Sequence, residues 1–187
     1  LGARYEKALQ TVRPVEVFTV ASNSLAGTRL NNGYWLPAAT VTWEVAPQME
    51  LRANASKTIA RPQFRELIFQ LYYDPESDRL YRGNPLLSDS ELFNAEVRYE
   101  WYFAREQRLS VAGFYKKIDR PIEAFTGFSD NQPQTSFANA PRAKLYGAEF
   151  EVQKYFDLSS MGGFFTTRRL VAIANYTYTK SSIEVGA

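Results

Sequence analysis

Phe93-Asn94-Ala95-Glu96-Val97-Arg98-Tyr99-Glu100-Trp101-Tyr102-Phe103 is the stretch that decides the fold. Phe93, Ala95, Val97, Tyr99, Trp101 and Phe103 fall on one side of a strict alternation, with Asn94, Glu96, Arg98, Glu100 and Tyr102 on the other. A period of two means a β-strand, because successive side chains point to opposite faces. Strands of globular proteins usually run about five or six residues. This one runs about eleven, near the ~9–11 that a tilted strand needs to cross a bilayer. At ~3.3 Å per residue and ~40° of tilt it climbs roughly 27 Å, against the ~25 Å apolar band of an outer-membrane barrel. Trp101 and Phe103 stand where such a barrel carries an aromatic girdle. The opposite face bears charges and cannot meet lipid. By itself the stretch fits either a transmembrane strand with a wet inner face or one long strand of a soluble sandwich.

Composition narrows the classes. The chain has 187 residues, enough for a domain with a core. Its 22 basic and 20 acidic residues leave a net charge of +2, so no broad field exists to recruit nucleic acid or acidic lipid. Aromatics reach 15%, high for a soluble domain, yet mean hydropathy is only −0.36. No run approaches the ~18 apolar residues of a membrane helix. A transmembrane barrel has this profile, since only every second strand residue meets lipid. Cysteine and histidine are both absent, which excludes Ser-His-Asp and Cys-His catalysis and the usual zinc ligands. No cofactor is expected. The chain opens on Leu1 without a signal peptide, and the expectation is an excerpt from a longer protein.

The alternation recurs along the chain. Strands are expected at Gly2 to Val12, Leu36 to Val45, Met49 to Thr58, Phe93 to Phe103, Leu109 to Ile118, Leu145 to Phe156 and Leu170 to Lys180. No convincing helix accompanies them; Glu66 to Tyr73 is the nearest amphipathic turn. The connections alternate in length. Arg13 to Trp35, Ile59 to Ser90 and Asp119 to Lys144 are long, while Ala46 to Gln48 and Ala104 to Gln107 are tight and Asp157 to Arg169 is fairly short. Long loops therefore gather at one end and turns at the other, as in up-and-down outer-membrane barrels. Greek-key sandwiches scatter long links over both ends. The expected fold is all-β: an antiparallel up-and-down meander, a segment of a large transmembrane β-barrel.

Leu36-Pro37, the run from Leu51 to Pro62, Phe64 and Glu66-Leu67 resemble a signature of TonB-dependent outer-membrane receptors. Gly83-Asn84-Pro85-Leu86-Leu87, Phe114 to Ile118, and Gly147-Ala148-Glu149-Phe150-Glu151 continue the resemblance in order. It covers roughly Gly2 to Lys180 and implies the C-terminal half of the receptor barrel. It further implies active uptake of a scarce nutrient (iron chelate, cobalamin or oligosaccharide) across the outer membrane of a Gram-negative bacterium. Partners implied are outer-membrane lipid, the small ligand, a plug domain and TonB, the last two reached through other parts of the parent. Plug, TonB box and a terminal aromatic residue are not found in these residues. Some seven strands cannot close a barrel of about 22, so residues 1–187 are expected to be a partial barrel segment.

Two groups of candidate residues follow. The longest loop carries Arg61, Arg65, Arg79 and Arg82, suited to an anionic ligand, and Phe64, Phe69, Tyr72, Tyr73 and Tyr81, suited to stacking on a sugar or catecholate ring. Solubility and packing on the rim explain the same residues without a ligand. Arg52, Asn54, Glu96, Arg98, Glu100, Glu149 and Glu151 are candidate lumen-lining residues, while Phe93, Val97, Tyr99, Trp101, Phe150 and Val152 are expected to face lipid. Glu149 and Glu151, about 7 Å apart on one strand face, also have a spacing compatible with an inverting glycosidase. A soluble carbohydrate-binding sandwich and a glycoside hydrolase therefore stand as alternatives, although no enzyme is expected.

Overall fold

The alternation becomes long antiparallel strands in the computed structural model, which describes residues 1–13, 27–129 and 132–185. In chain order the elements are β1 (Gly2–Val12), β2 (Thr28–Ala46), β3 (Met49–Ala60), α1 (Phe64–Leu67), β4 (Leu71–Asp74) and β5 (Arg79–Arg82). Then come β6 (Ser90–Ala104), β7 (Gln107–Asp119), β8 (Ile122–Ser129), β9 (Gln132–Asn139), β10 (Arg142–Asp157) and β11 (Arg169–Glu184). The long strands form one seven-stranded antiparallel sheet in the order β1-β2-β3-β6-β7-β10-β11. Its end strands, β1 and β11, have no partner on their outer sides among the described residues.

Register divides the side chains between two faces, since residues directly opposite on paired strands lie on the same side. Tyr99 pairs with Val111 and Val111 with Phe150, while Trp101 pairs with Leu109 and Leu109 with Val152. Phe93, Val97, Tyr99, Trp101, Phe150 and Val152 therefore share one face, and Arg98, Glu100 and Glu151 share the other. Trp43, on the apolar face, is 62% exposed; Glu100, on the polar face, is 7% exposed. That inversion of the soluble pattern means the apolar face is the one left open.

The short turns need left-handed backbone. Gln48 between β2 and β3 has φ 67°, and Glu106 between β6 and β7 has φ 61°. The register shifts between Glu44 and Ala46 and between Trp101 and Ala104, beside these turns. Such bulges sharpen the local twist.

The strands reach further toward the loop end than their periodicity suggests. β2 begins at Thr28, not Leu36, and runs 19 residues. Thr28 to Trp35 carries polar residues on both faces, so a strand is present with no apolar alternation to mark it. The described start of β2 shortens the connection read as Arg13 to Trp35; its residues 14–26 lie outside the described part. The other long connections are also structured. Ile59 to Ser90 holds the one-turn helix α1 and the hairpin β4–β5, while Asp119 to Lys144 holds the hairpin β8–β9. These four short strands build a second sheet, β4-β5-β9-β8, with β5 and β9 parallel. The up-and-down meander thus carries a second, inter-loop sheet at its loop end. The helix also lies earlier than the expected turn at Glu66 to Tyr73. Its first turn is closed by the Gln63 amide donating to Glu66 Oε2 at 2.8 Å.

The buried core lies where this loop sheet meets the barrel wall. Val12, Leu67 and Leu87 are buried together, with Leu30, Ile68, Ile122 and Phe137 packed against them. Polar pins flank the core. Thr28 Oγ1 donates to Pro85 O at 2.6 Å, and Gln10 Nε2 to Pro62 O at 2.7 Å. The Asp89 carboxylate accepts from Asn32 Nδ2 and Tyr34 OH, each at 3.0 Å. Asn139 accepts from the Ser88 amide at 2.8 Å and donates to Arg120 O at 2.8 Å. The loops are therefore fastened to β1 and β2 on one side and to each other on the other.

Candidate functional site

Seven predicted lumen residues fall on one face, drawn from three strands. Asn54 pairs with Glu96, Arg52 with Arg98, and Ala112 links Arg98 to Glu149 across the ladder. Arg52 and Arg98 are directly opposed, a destabilising arrangement unless each finds an anion. Arg52 Nη2 donates to Glu50 at 2.6 Å and lies 3.8 Å from Glu100. Arg98 donates to Glu96 and to Glu149, both at 3.0 Å, and to Ser110 Oγ at 3.2 Å. Arg108 donates to Glu151 at 2.6 Å. The face is thus a lattice of alternating charge. Each pair is partly exposed, so each adds only ~0–1 kcal/mol of stability; the arrangement orients side chains more than it holds strands together. Glu149 and Glu151 bind different arginines and act as struts between strands. A groove of about 300 Å³ beside them is lined by Asn54, Asn94, Glu96, Lys116 and Glu149.

The loop candidates divide into five settings. Tyr72 stacks on Tyr81 at 5.6 Å and 15°, and Tyr81 on Phe137 at 6.0 Å and 18°. This three-ring stack joins β4, β5 and β9, and with Arg65, Glu66 and Asp74 it walls a cleft of about 170 Å³. Arg82 lies over the Phe69 ring at 5.5 Å. Tyr73 and Arg79 instead line a cleft of about 420 Å³ with Thr126, Pro133 and Thr135 from the other hairpin. Phe64 is exposed on α1. Arg61 is apart from all of these: it forms an ion pair with Glu6 of β1. Burial pushes the Tyr72 phenol up from its ordinary value, and the hydrogen bond donated to Asp78 at 2.7 Å raises that of Tyr73.

Sequence reasoning missed Phe137, Thr126 and Thr135. Gln132–Asn139 reads QPQTSFAN, with neither an apolar alternation nor a family motif, so nothing in it announced a strand. Only the pairing of β9 with β5 brings these residues to the loop sites.

A family model for the TonB dependent receptor-like β-barrel matches residues 1–186. The chain belongs to that family. Among curated proteins, none matches it in sequence. Among solved structures it is similar to the siderophore receptor PirA from Pseudomonas aeruginosa, at 19% identity and a TM-score of 0.61. That match covers 84% of this chain and 28% of PirA. A mutant of the ferric enterobactin receptor PfeA from the same organism matches at 19% identity and a TM-score of 0.57, over 82% of this chain and 23% of that one. The chain thus spans about a quarter of the length of these receptors. Likeness at such identity establishes the fold: an all-β antiparallel segment of a transmembrane barrel. The soluble sandwich finds no support, and the family is one of receptors, not enzymes. No helix among the described residues is long and apolar enough to cross a membrane, which is silent about crossing by strands.

Proposed function

We propose that this TonB-dependent receptor-like chain forms part of the wall and extracellular loops of an outer-membrane receptor in a Gram-negative bacterium. The receptor takes up a scarce small nutrient by TonB-dependent transport. One observation carries the reading: seven long strands keep a single register that separates an open apolar face from a charged one, with structured loops gathered at one end. The apolar face meets lipid. The charged face, including Arg52, Asn54, Glu96, Arg98, Glu100, Glu149 and Glu151, lines the hydrated path beside the plug. The plug domain and TonB are partners of the whole receptor.

An iron chelate is the ligand class we favour over cobalamin or oligosaccharide. Stacked rings beside Arg65, with Arg82 set over Phe69, suit planar, anionic groups, and the similar receptors PirA and PfeA are described as receptors for a siderophore and for ferric enterobactin. Deleting Tyr72 to Arg82 from the complete receptor removes two of the three stacked rings together with Arg79 and Arg82, leaves Arg65 in place, and spares the long strands. Whole cells carrying the deletion are expected to lose uptake of a radiolabelled ferric chelate, with heat-modifiable migration of the barrel retained. Normal uptake by a correctly assembled variant would reduce this hairpin to a cover. Preferential uptake of cobalamin or an oligosaccharide would replace the ligand class.

A further inference from the structure

The apolar face carries, at its loop end, charges that contact with hydrocarbon does not tolerate. Register sets Lys57 of β3 beside Phe93 of β6, Phe93 beside Lys117 of β7, and Lys117 beside Lys144 of β10. The four residues share the face of Val97, Trp101 and Phe150. One step toward the barrel middle the same strands place Tyr115 beside Tyr146; one step toward the loops they place Glu91, Asp119 and Arg142. A lysine row therefore lies between an aromatic row and a mixed-charge row, at the edge of the apolar surface.

The row is electrostatically incomplete. Lys117 and Lys144 are directly opposed on strands ~4.8 Å apart, where like charges destabilise. Their neighbouring carboxylates are shared. Asp119 takes Lys117 at 2.9 Å and Arg142 at 3.5 Å, and Glu184 takes Lys144 at 3.6 Å and Arg142 at 3.9 Å. On the other side of Phe93, Glu91 serves both Lys57 and Arg120. Among the described residues five cations thus share three carboxylates, and the cationic side chains are between a third and a half exposed. Phe93, between two lysines, is 45% exposed. Ammonium groups flanking an open phenyl ring match an amphiphile, because long cationic side chains keep their heads at the interface while apolar surface stays in hydrocarbon.

We infer that Lys57, Lys117 and Lys144 bind the phosphate groups of an outer-leaflet lipid, whose acyl part lies over Phe93. The inference rests on the barrel reading above and adds a lipid site on the outer wall. Its source is a membrane lipid, because the row continues the apolar surface and its lysine side chains are exposed on that face.

The test uses the complete receptor, purified in detergent and titrated with bis-phosphorylated lipid A or with zwitterionic phosphatidylcholine, with retention read by native mass spectrometry. Lipid A is expected to be retained preferentially, and less so at high salt. The double substitution Lys117→Gln and Lys144→Gln is expected to weaken retention about thirty-fold, the effect of removing two cations at an anionic lipid surface. Lys154→Gln, at the turn end of the same face, should leave retention as it is. If the double variant fails to assemble, Lys117→Gln alone decides. Undiminished retention by an assembled variant, or equal retention of both lipids, overturns the lipid site. A receptor missing from the outer-membrane fraction overturns the barrel reading and the lipid site with it.

Discussion

Gly147 is a residue whose place in the sheet depends on having no side chain. It lies opposite Phe114 in the ladder, and a Cβ there would meet the Phe114 ring at 2.6 Å as well as the Tyr178 carbonyl oxygen. Glycine in a strand is otherwise a weakness, so the ring covering it compensates for the missing packing. Gly147→Val is expected to cost ~1–3 kcal/mol through overpacking. The check is urea unfolding of the folded receptor, and an unchanged midpoint would contradict it. Tyr73 offers a pH dependence. Its hydrogen bond to Asp78 needs the neutral phenol and raises the folded pKa above the ordinary 10.0. The support it lends the β4–β5 turn is complete below about 10 and is lost as pH rises through the higher folded value. A difference absorbance titration of phenolate, wild type minus Tyr73→Phe, should place this group later than a free tyrosine. Asp78→Asn should return it toward the ordinary range.

At the scale of elements, the unexpected feature is the parallel pairing of β5 with β9, which joins two loops far apart in sequence. Parallel neighbours demand a long crossover, and here the strands β6 and β7 of the barrel wall supply it. The two loops consequently share one sheet, and loosening one should loosen the other. Gly83 is the place to test this. A Cβ there would meet the Arg65 and Glu66 carbonyl oxygens, both at 2.8 Å, and that of Ile68. The adjacent Asn84 amide donates to Glu66 O at 2.6 Å. Gly83→Ala is thus expected to lift α1 from β5 and to speed hydrogen exchange in both β4–β5 and β8–β9. Exchange in β6 and β7 should stay slow, because local opening follows cooperative units. Faster exchange confined to α1 would mean the two loops open separately.

The whole molecule has an open apolar face and two unpaired edge strands among its described residues. Both are templates for association in water. Residues 1–187 expressed alone are expected to precipitate or to require detergent, with light scattering as the measure. A monodisperse monomer unfolding cooperatively in plain buffer would sink this expectation and with it the lipid-facing role of Val97, Tyr99 and Trp101.

The strands, their faces and the end at which the loops gather were legible in residue order, because alternation at a period of two needs only local chemistry. Phe93 to Phe103 reads as a transmembrane strand before any partner is known, and a slip of one residue would turn Arg98 and Glu100 into lipid. The loops were not legible in this way. In Thr28 to Trp35 the alternating burial falls mostly on polar residues such as Thr28, Asn32 and Tyr34, and in Gln132–Asn139 the buried residue is Thr135, so no apolar pattern marks either strand in the sequence. Tertiary structure alone decided that Tyr81 stacks between Tyr72 and Phe137, that Arg61 is engaged by Glu6, and that Lys117 faces Lys144. Each of these depends on which strands become neighbours, and pairing between distant segments is set by the sheet as a whole.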